Sequence, residues 1–430
     1  MNEQAAAPGT AEAEKKPGAR AIIALAILSC TVGLNTVDRN MFGLLLPQIQ
    51  QDIAISDSAM GLLVGAVFMI VYSVSSLPIA WLADRTGRRN VIAAGLGFWS
   101  IVTALTGFAQ NLAHLVMARM ALGVGEASNM APTSALIGDM FRGRYRVIAM
   151  SAFAAGGPLA IMIFFPIIGW VTAEHSWRAA YPLMGAVGIL VAVATLLAVR
   201  EPEREQSAIT TAPKEPAAGL LAATIGILRI PGFLMLAAAG TMVSINLGAT
   251  LAWLPAFMQR VHGLDAAETG LLLGAYKGGF GVAATLAAGV LVTYLMRFDR
   301  RWLAWAPMLF ALGLVPAQLL LVWSDNPALW QIGLALDSIF MSAIAPCLFA
   351  LLLTLLDPST RATGAALYLL IFNLVGQSLG PLLVGALSDN VFAAAGDEAV
   401  RYSLLAAPLV AALAGLLLFV LSTRRETASA

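Results

Sequence analysis

Charge is what this sequence has least of. Asp, Glu, Lys and Arg make up only 11% of its 430 residues, against roughly a quarter in water-soluble domains, while 59% are hydrophobic. A soluble fold of that composition has too few polar side chains to cover its surface. The formal net charge of +1 excludes a nucleic-acid partner, which needs a clustered excess of Lys and Arg. Cysteine is nearly missing too: Cys30 and Cys347 both fall in apolar runs, where a thiol packs as a small hydrophobe, so no redox role is expected. His114, His175 and His262 lack ligand-like spacing, and neither a metal nor a cofactor is expected. There is no His-Glu-x-x-His string and no ATP-binding Gly-x-x-x-x-Gly-Lys-Ser/Thr string. The chain is therefore not expected to be an enzyme.

What the sequence has instead is a series of apolar runs, each near the ~20 residues a helix needs to cross a bilayer. Helices are expected at 21–46, 58–83, 90–110, 112–140, 145–172, 178–199, 232–259, 266–296, 301–323, 327–356, 360–388 and 400–422. The fold class expected is an all-α polytopic membrane protein with twelve transmembrane helices in two pseudo-symmetric six-helix bundles. The expected domains are a disordered tail at 1–19, a first bundle at 20–200, a polar linker at 201–231 with a possible interfacial helix, a second bundle at 232–423 and a tail at 424–430. Sorting the loop Lys and Arg by parity leaves only Arg178, Arg260 and Arg401 on one side, which places both termini and the linker in the cytoplasm of a bacterial inner membrane.

The two sets of six echo each other. Leu46-Pro47 leads to Gly61-Leu-Leu-Val-Gly-Ala66, and Leu254-Pro255 leads to Gly270-Leu-Leu-Leu-Gly-Ala275. Arg146, Pro166 and Gly169 are matched by Arg361, Pro381 and Gly385. A duplicated bundle of this kind belongs to transporters in which two halves rock about a midplane site.

Ionisable side chains at membrane depth are expensive, at about 2.5–3.5 kcal/mol each on insertion scales, and point to function. Asp38, Arg39, Arg119, Glu126, Lys277 and Asp337 qualify. Asp38 and Arg119 both lie roughly 10–12 Å below the outer surface, so they can meet if their helices are neighbours. Glu126 is two turns beyond Arg119 on nearly the same face, close to the bilayer centre, with no cation evident at its own depth. Holding a charge there is costly, which suits a group that takes up and releases a proton. Asp38 and Glu126 are accordingly expected to carry protons, with Arg119 pairing whichever is ionised. The bland alternative is a permanent Asp38–Arg119 bridge that fixes helix packing. Arg39, about 100° round the helix from Asp38, is assigned no role. Asn246 occupies the position equivalent to Asp38 in the second half, and Lys277 corresponds to Phe68. Asn35, Tyr72, Asn246, Lys277 and Asp337 are the candidates to line a substrate cavity, with Asp337 alternatively the partner of Lys277.

The short loop Ala80-Trp-Leu-Ala-Asp-Arg-Thr-Gly-Arg-Arg89 resembles the signature of the major facilitator superfamily, with Ala80 where that family usually has Gly. Here Asp84 can cap a helix N-terminus or pair with a cation, and Gly87 permits the tight turn. With Arg85, Arg88 and Asp139 they are the expected cytoplasmic gate. Within that superfamily the first half is similar to the spinster lipid transporters, through Asn35-Thr-Val-Asp-Arg39, Ala118-Arg119, Gly123-Val-Gly-Glu-Ala-Ser128 and Arg200-Glu-Pro202. The resemblance runs over residues 30–202 and weakens beyond. It implies proton-linked movement of lysophospholipid or sphingolipid-like substrates, with Asp38, Arg119 and Glu126 as coupling residues. The expected partners are thus an amphiphile, protons and the bilayer, in a monomer. A proton-coupled carrier of a small soluble organic anion is the alternative.

Overall fold

The computed structural model describes residues 17–201, 224–357 and 360–429. Its first half consists of α1 (Ala19–Leu44), a short helical turn at Leu46–Asp52, α2 (Asp57–Thr86), α3 (Arg88–Thr106), α4 (Leu112–Glu126), α5 (Met130–Met140), α6 (Gly143–Glu174) and α7 (Trp177–Ala198). The second comprises α8 (Pro231–Arg260), α9 (Ala266–Leu295), α10 (Trp302–Trp323), α11 (Pro327–Leu355), α12 (Thr363–Asn390) and α13 (Ala393–Thr423). Every expected segment is helical. Most of the expected linker and the N-terminal tail lie outside the described residues, although 224–228 are helical.

Among the described residues, 10 helices are long and apolar enough to cross a membrane. The exceptions are the third and fourth expected segments. α3 opens on Arg88, Arg89 and Asn90, and the fourth is not one helix but two. The break follows Glu126: Ser128 Oγ turns back to the Gly125 carbonyl at 2.7 Å, while Asn129 bonds across to Thr31, accepting from its hydroxyl at 2.9 Å and donating to its carbonyl at 3.0 Å. Local side-chain bonds of this kind compete with the helix ladder.

Helix starts follow capping chemistry. Ser56 accepts from Ala59 N at the start of α2, and Asp265, its counterpart in the repeat, forms a reciprocal capping box with Glu268 at the start of α9. Three helices carry a π-turn in mid-course: α2 at Leu63–Val67, α9 at Gly274–Phe280 and α12 at Phe372–Gly376. The outward faces are apolar, as with Leu77, Leu197 and Val290, so a hydrocarbon surround is what these helices fit.

The two halves press together at one end of the bundle. There Gly61 of α2 faces Pro381 of α12 so closely that a Cβ would lie 2.4 Å from its carbonyl oxygen, and Gly270 of α9 stands in the same relation to Phe165 of α6 at 2.3 Å. Only glycine allows such backbone approach. Polar groups lock the same end. Arg260, ending α8, makes two 2.9 Å bonds to the Asp57 carboxylate, and Ser388 of α12 donates to it at 2.6 Å. Asp389 accepts from the first backbone N–H groups of α2, at 3.2 Å from Asp57 and 2.6 Å from Ser58. We call this the sealed end. At the opposite end, α6 stands apart from α9 and α11 around a cavity of about 1020 Å³.

Candidate functional site: buried charges around a central cavity

A cavity of about 300 Å³ lies between the halves at mid-height. The first half contributes Asn35, Arg39, Asn40 and Tyr72; the second contributes Asn373 and Gln377 from α12. Behind this wall stands Glu126, fully buried.

Arg39 is the partner that sequence reasoning did not give Glu126. Its Nε donates to Glu126 Oε2 at 2.8 Å, and Asn35 Nδ2 donates to the same oxygen at 2.9 Å. The 100° turn that separates Arg39 from Asp38 aims it at α2 and α4, and the long side chain supplies the missing cation. Its guanidinium carbon sits 4.4 Å from the Tyr72 ring centroid and 5.0 Å from that of Phe68, so two aromatic faces hold it. Two atoms of the pair, Glu126 Oε1 and Arg39 Nη2, are buried without a hydrogen-bond partner among the described residues.

Asp38 faces the other way. It lines a small inner cavity with Arg119, Thr103 and Tyr181, and accepts a long 3.4 Å bond from Thr103. The bland alternative, a permanent Asp38–Arg119 bridge, is not formed among the described residues. Arg119 instead stacks on Phe42, 4.1 Å from its centroid, and borders both the inner and the central cavities.

Asn35 and Tyr72 line the central cavity, whereas Asn246, Lys277 and Asp337 do not; the alternative, in which Asp337 is the partner of Lys277, is the arrangement seen. They form a closed network in the second half. Lys277 bonds Asp337; Gln318 donates to Asp337 at 2.8 Å and exchanges bonds with Asn246, which donates to the Ala407 carbonyl at 2.7 Å. The physical reason is mutual satisfaction: each costly polar group in this apolar half finds its partner on a neighbouring helix. Lys277 lies inside the π-turn of α9, whereas its counterpart Phe68 follows the π-turn of α2 and reaches the cavity.

In the loop between α2 and α3, Arg88 joins Asp84, at 2.8 Å, to Asp139 of α5. Gly87 takes the positive φ of +110° that the turn needs, and Glu201 caps α3 by accepting from Arg88 N at 2.9 Å. Arg85 stacks on Trp81. These contacts all lie among residues 81–201.

One further string has the spacing of a hydrolase nucleophile turn: Gly376-Gln-Ser-Leu-Gly380. Ser378 lies within α12, and its buried hydroxyl has no partner among the described residues, so no base activates it. The functional residues that sequence reasoning missed are Arg39, Asn373, Gln377 and Tyr181. The signal for the amides was their four-residue spacing in an otherwise apolar run.

Residues 28–297 match the Major Facilitator Superfamily, more than half of the chain. The chain belongs to the Major Facilitator Superfamily. As a member of that superfamily it is a multi-pass membrane transporter and not an enzyme. Among its relatives in the superfamily, an MFS-type efflux pump of Mycolicibacterium smegmatis is 31% identical over 99% of this chain and 98% of its own. The sphingosine-1-phosphate transporter of Mus musculus is 26% identical, over 93% of this chain and 78% of its own. The same major facilitator fold is found in a bacterial homologue of the human lysosomal transporter Spinster, in an inward-facing and unoccupied conformation. That fold matches with a TM-score of 0.78 at 23% identity, covering 95% of this chain and 98% of the other.

Proposed function

We propose that the protein is a proton-coupled transporter of an amphiphile with an anionic head, working by alternating access in a bacterial plasma membrane. The observation that carries this reading is the Arg39–Glu126 pair at the wall of the central cavity. Arg39 has two claimants: the Glu126 carboxylate and any anion entering the cavity. While Glu126 is ionised it holds Arg39. Once Glu126 takes up a proton, the guanidinium is an unpaired buried cation, and binding an anion from the cavity relieves that cost. Proton and anion therefore favour each other's presence, which is the linkage a coupled carrier needs.

The charge distribution of the loops supports an orientation with the sealed end outward, both termini inside and the Asp84, Arg88 and Asp139 cluster on the cytoplasmic side. That cluster is the cytoplasmic gate in this reading, and it engages the second half only when the outer end opens. The amphiphile is supported by the cavity of about 1020 Å³ at the open end, whose walls are mainly apolar and carry Arg146 and Arg297. The resemblance to lipid-transporting relatives points the same way.

A second reading, transport of a small soluble organic anion, is favoured by the central cavity itself: about 300 Å³ with Asn35, Asn40, Asn373 and Gln377 in its wall is a fit for a compact polar molecule. Both readings share the proton step. The test is the pH dependence of opening, read from distance labels at both ends of the bundle, in wild type and Glu126→Gln. Coupling fails if wild type ignores pH. Competition between a lysophospholipid and a sugar diacid for the purified protein then separates the two substrate classes.

A further inference from the structure

Asp38 is adjacent to Arg39 in sequence but is not part of the central cavity, and its own cavity leads elsewhere. We propose that Asp38 exchanges its proton with the sealed side through a crevice between α3 and α4, by way of one water held among Asp38, Arg119 and Tyr181, with Arg119 partitioning this route from the substrate cavity.

Three observations carry the route. The inner cavity measures about 10 Å³, close to the ~10–15 Å³ that one water occupies on this measure. Two of its lining groups, the Tyr181 hydroxyl and Arg119 Nε, are buried without a partner among the described residues, on side chains 3% and 2% exposed. Buried polar atoms are nearly always hydrogen-bonded. A water there satisfies both and touches the Asp38 carboxylate, so it has the polar neighbours that a structural water needs.

The second observation is continuity. A crevice of about 300 Å³ lies between the end of α3 and the start of α4, with His114 at its rim, and it shares Thr106 and Ala118 with the inner cavity. The loop joining these helices is at the sealed end, which puts the mouth of the proposed route there, while the path between the two halves is closed.

The third is the position of Arg119. It borders both the inner and the central cavities and is held flat against Phe42. A fixed cation at that point opposes passage of a second positive charge, as cationic side chains do in proton-excluding pores. A water in the crevice passes a proton to the inner water, which gives one of its own to an Asp38 oxygen. The proton goes no further while Arg119 stays in place. The ionisable groups around Asp38 are Arg119 and Glu126 of α4, Tyr181 of α7 and Arg39 of its own helix.

The proposal rests on the proton-coupled reading, and its test tells the two apart. Time-resolved infrared absorption after an acid jump follows the protonated-carboxyl bands of Asp38 and Glu126, assigned by their loss in Asp38→Asn and Glu126→Gln. Plugging the crevice with Ala118→Leu is expected to slow the Asp38 band by at least about tenfold, an added barrier of ~1.4 kcal/mol. The Glu126 band, reached through the central cavity, keeps its rate and reports that the fold is intact. Met117→Ala, which trims the crevice wall, is expected to leave the Asp38 rate unchanged or faster. Should Ala118→Leu fail to fold, Thr106→Leu carries the same expectation by adding bulk at the other residue that the two cavities share. Equal Asp38 rates in wild type and plugged protein overturn the route alone, as does slowing by Met117→Ala. If neither band responds to pH in wild type, the coupled reading falls and the route with it.

Discussion

Arg39 Nε lies 2.8 Å from Glu126 Oε2, joining α1 to the last residue of α4 behind the central cavity. The neighbouring Asp38 serves a different cavity altogether, so two consecutive residues divide the buried chemistry between them.

Removing one member of that pair strands the other. Arg39→Ala is expected to destabilise the protein by about 3–5 kcal/mol, the usual consequence of an uncompensated buried charge. Arg39→Met with Glu126→Leu is expected to restore most of that stability while abolishing the pH response of opening. Thermal unfolding in detergent checks the first outcome and distance labelling the second.

At the sealed end, Arg260 and Asp389 both reach the start of α2 from the second half. Arg260→Ala is expected to shift the population toward the outward-open state by about tenfold, as the loss of ~1.4 kcal/mol of coupling implies. Asp389→Asn, which keeps an acceptor for the α2 N-terminus but not its charge, is expected to have a smaller effect in the same direction. The measurement is the fraction of molecules with labels separated at that end.

Lys277 and Asp337 were candidates for the cavity but form their own network with Gln318 and Asn246. Asp337→Ala is therefore expected to lower stability by about 3–5 kcal/mol through the stranded lysine. Ligand affinity per folded molecule is expected to stay within about twofold. Unfolding curves and equilibrium binding on the same preparation separate the two effects.

His262, in the loop between α8 and α9, stacks on Trp330 and meets the edge of Phe257, each at 4.9 Å. Burial holds its pKa below the ordinary 6.5, and Arg401 nearby pushes the same way. The unfolded chain therefore takes up the proton first. The stabilising contribution is complete above 6.5 and is lost as pH falls from there through the lowered folded value. His262→Phe is expected to flatten that part of the melting temperature against pH curve, with little change at neutral pH.

Much of this architecture was legible because a membrane helix has to declare itself through length and apolarity, and because a buried charge is conspicuous among such residues. Asp38, Arg119 and Glu126 stood out on that ground alone. Depth could be counted along the chain, but azimuth could not. Arg39 is not legible in this way, because a rotation of about 100° from Asp38 points away from that residue's neighbours without saying that α2 and α4 lie on the other side. The pairing of Lys277 with Asp337 stands in the sequence only as an alternative, because it depends on which helices are neighbours. Asn373 and Gln377 carry no formal charge, so they gave little contrast with their surroundings. Arg260 looked like an ordinary loop residue, since helix ends are where arginine is cheapest to place.

The π-turns in α2, α9 and α12 each hold one more residue than a regular turn, and such turns are frequent at functional sites. Shifting one by a single step along its helix would re-register the residues it passes, rotating each by about 100° and advancing it ~1.5 Å. Phe68 and Gln377 lie immediately beyond two of them, on the wall of the central cavity. The lining can thus be exchanged by local slippage of the winding, with both ends of the helix left where they are.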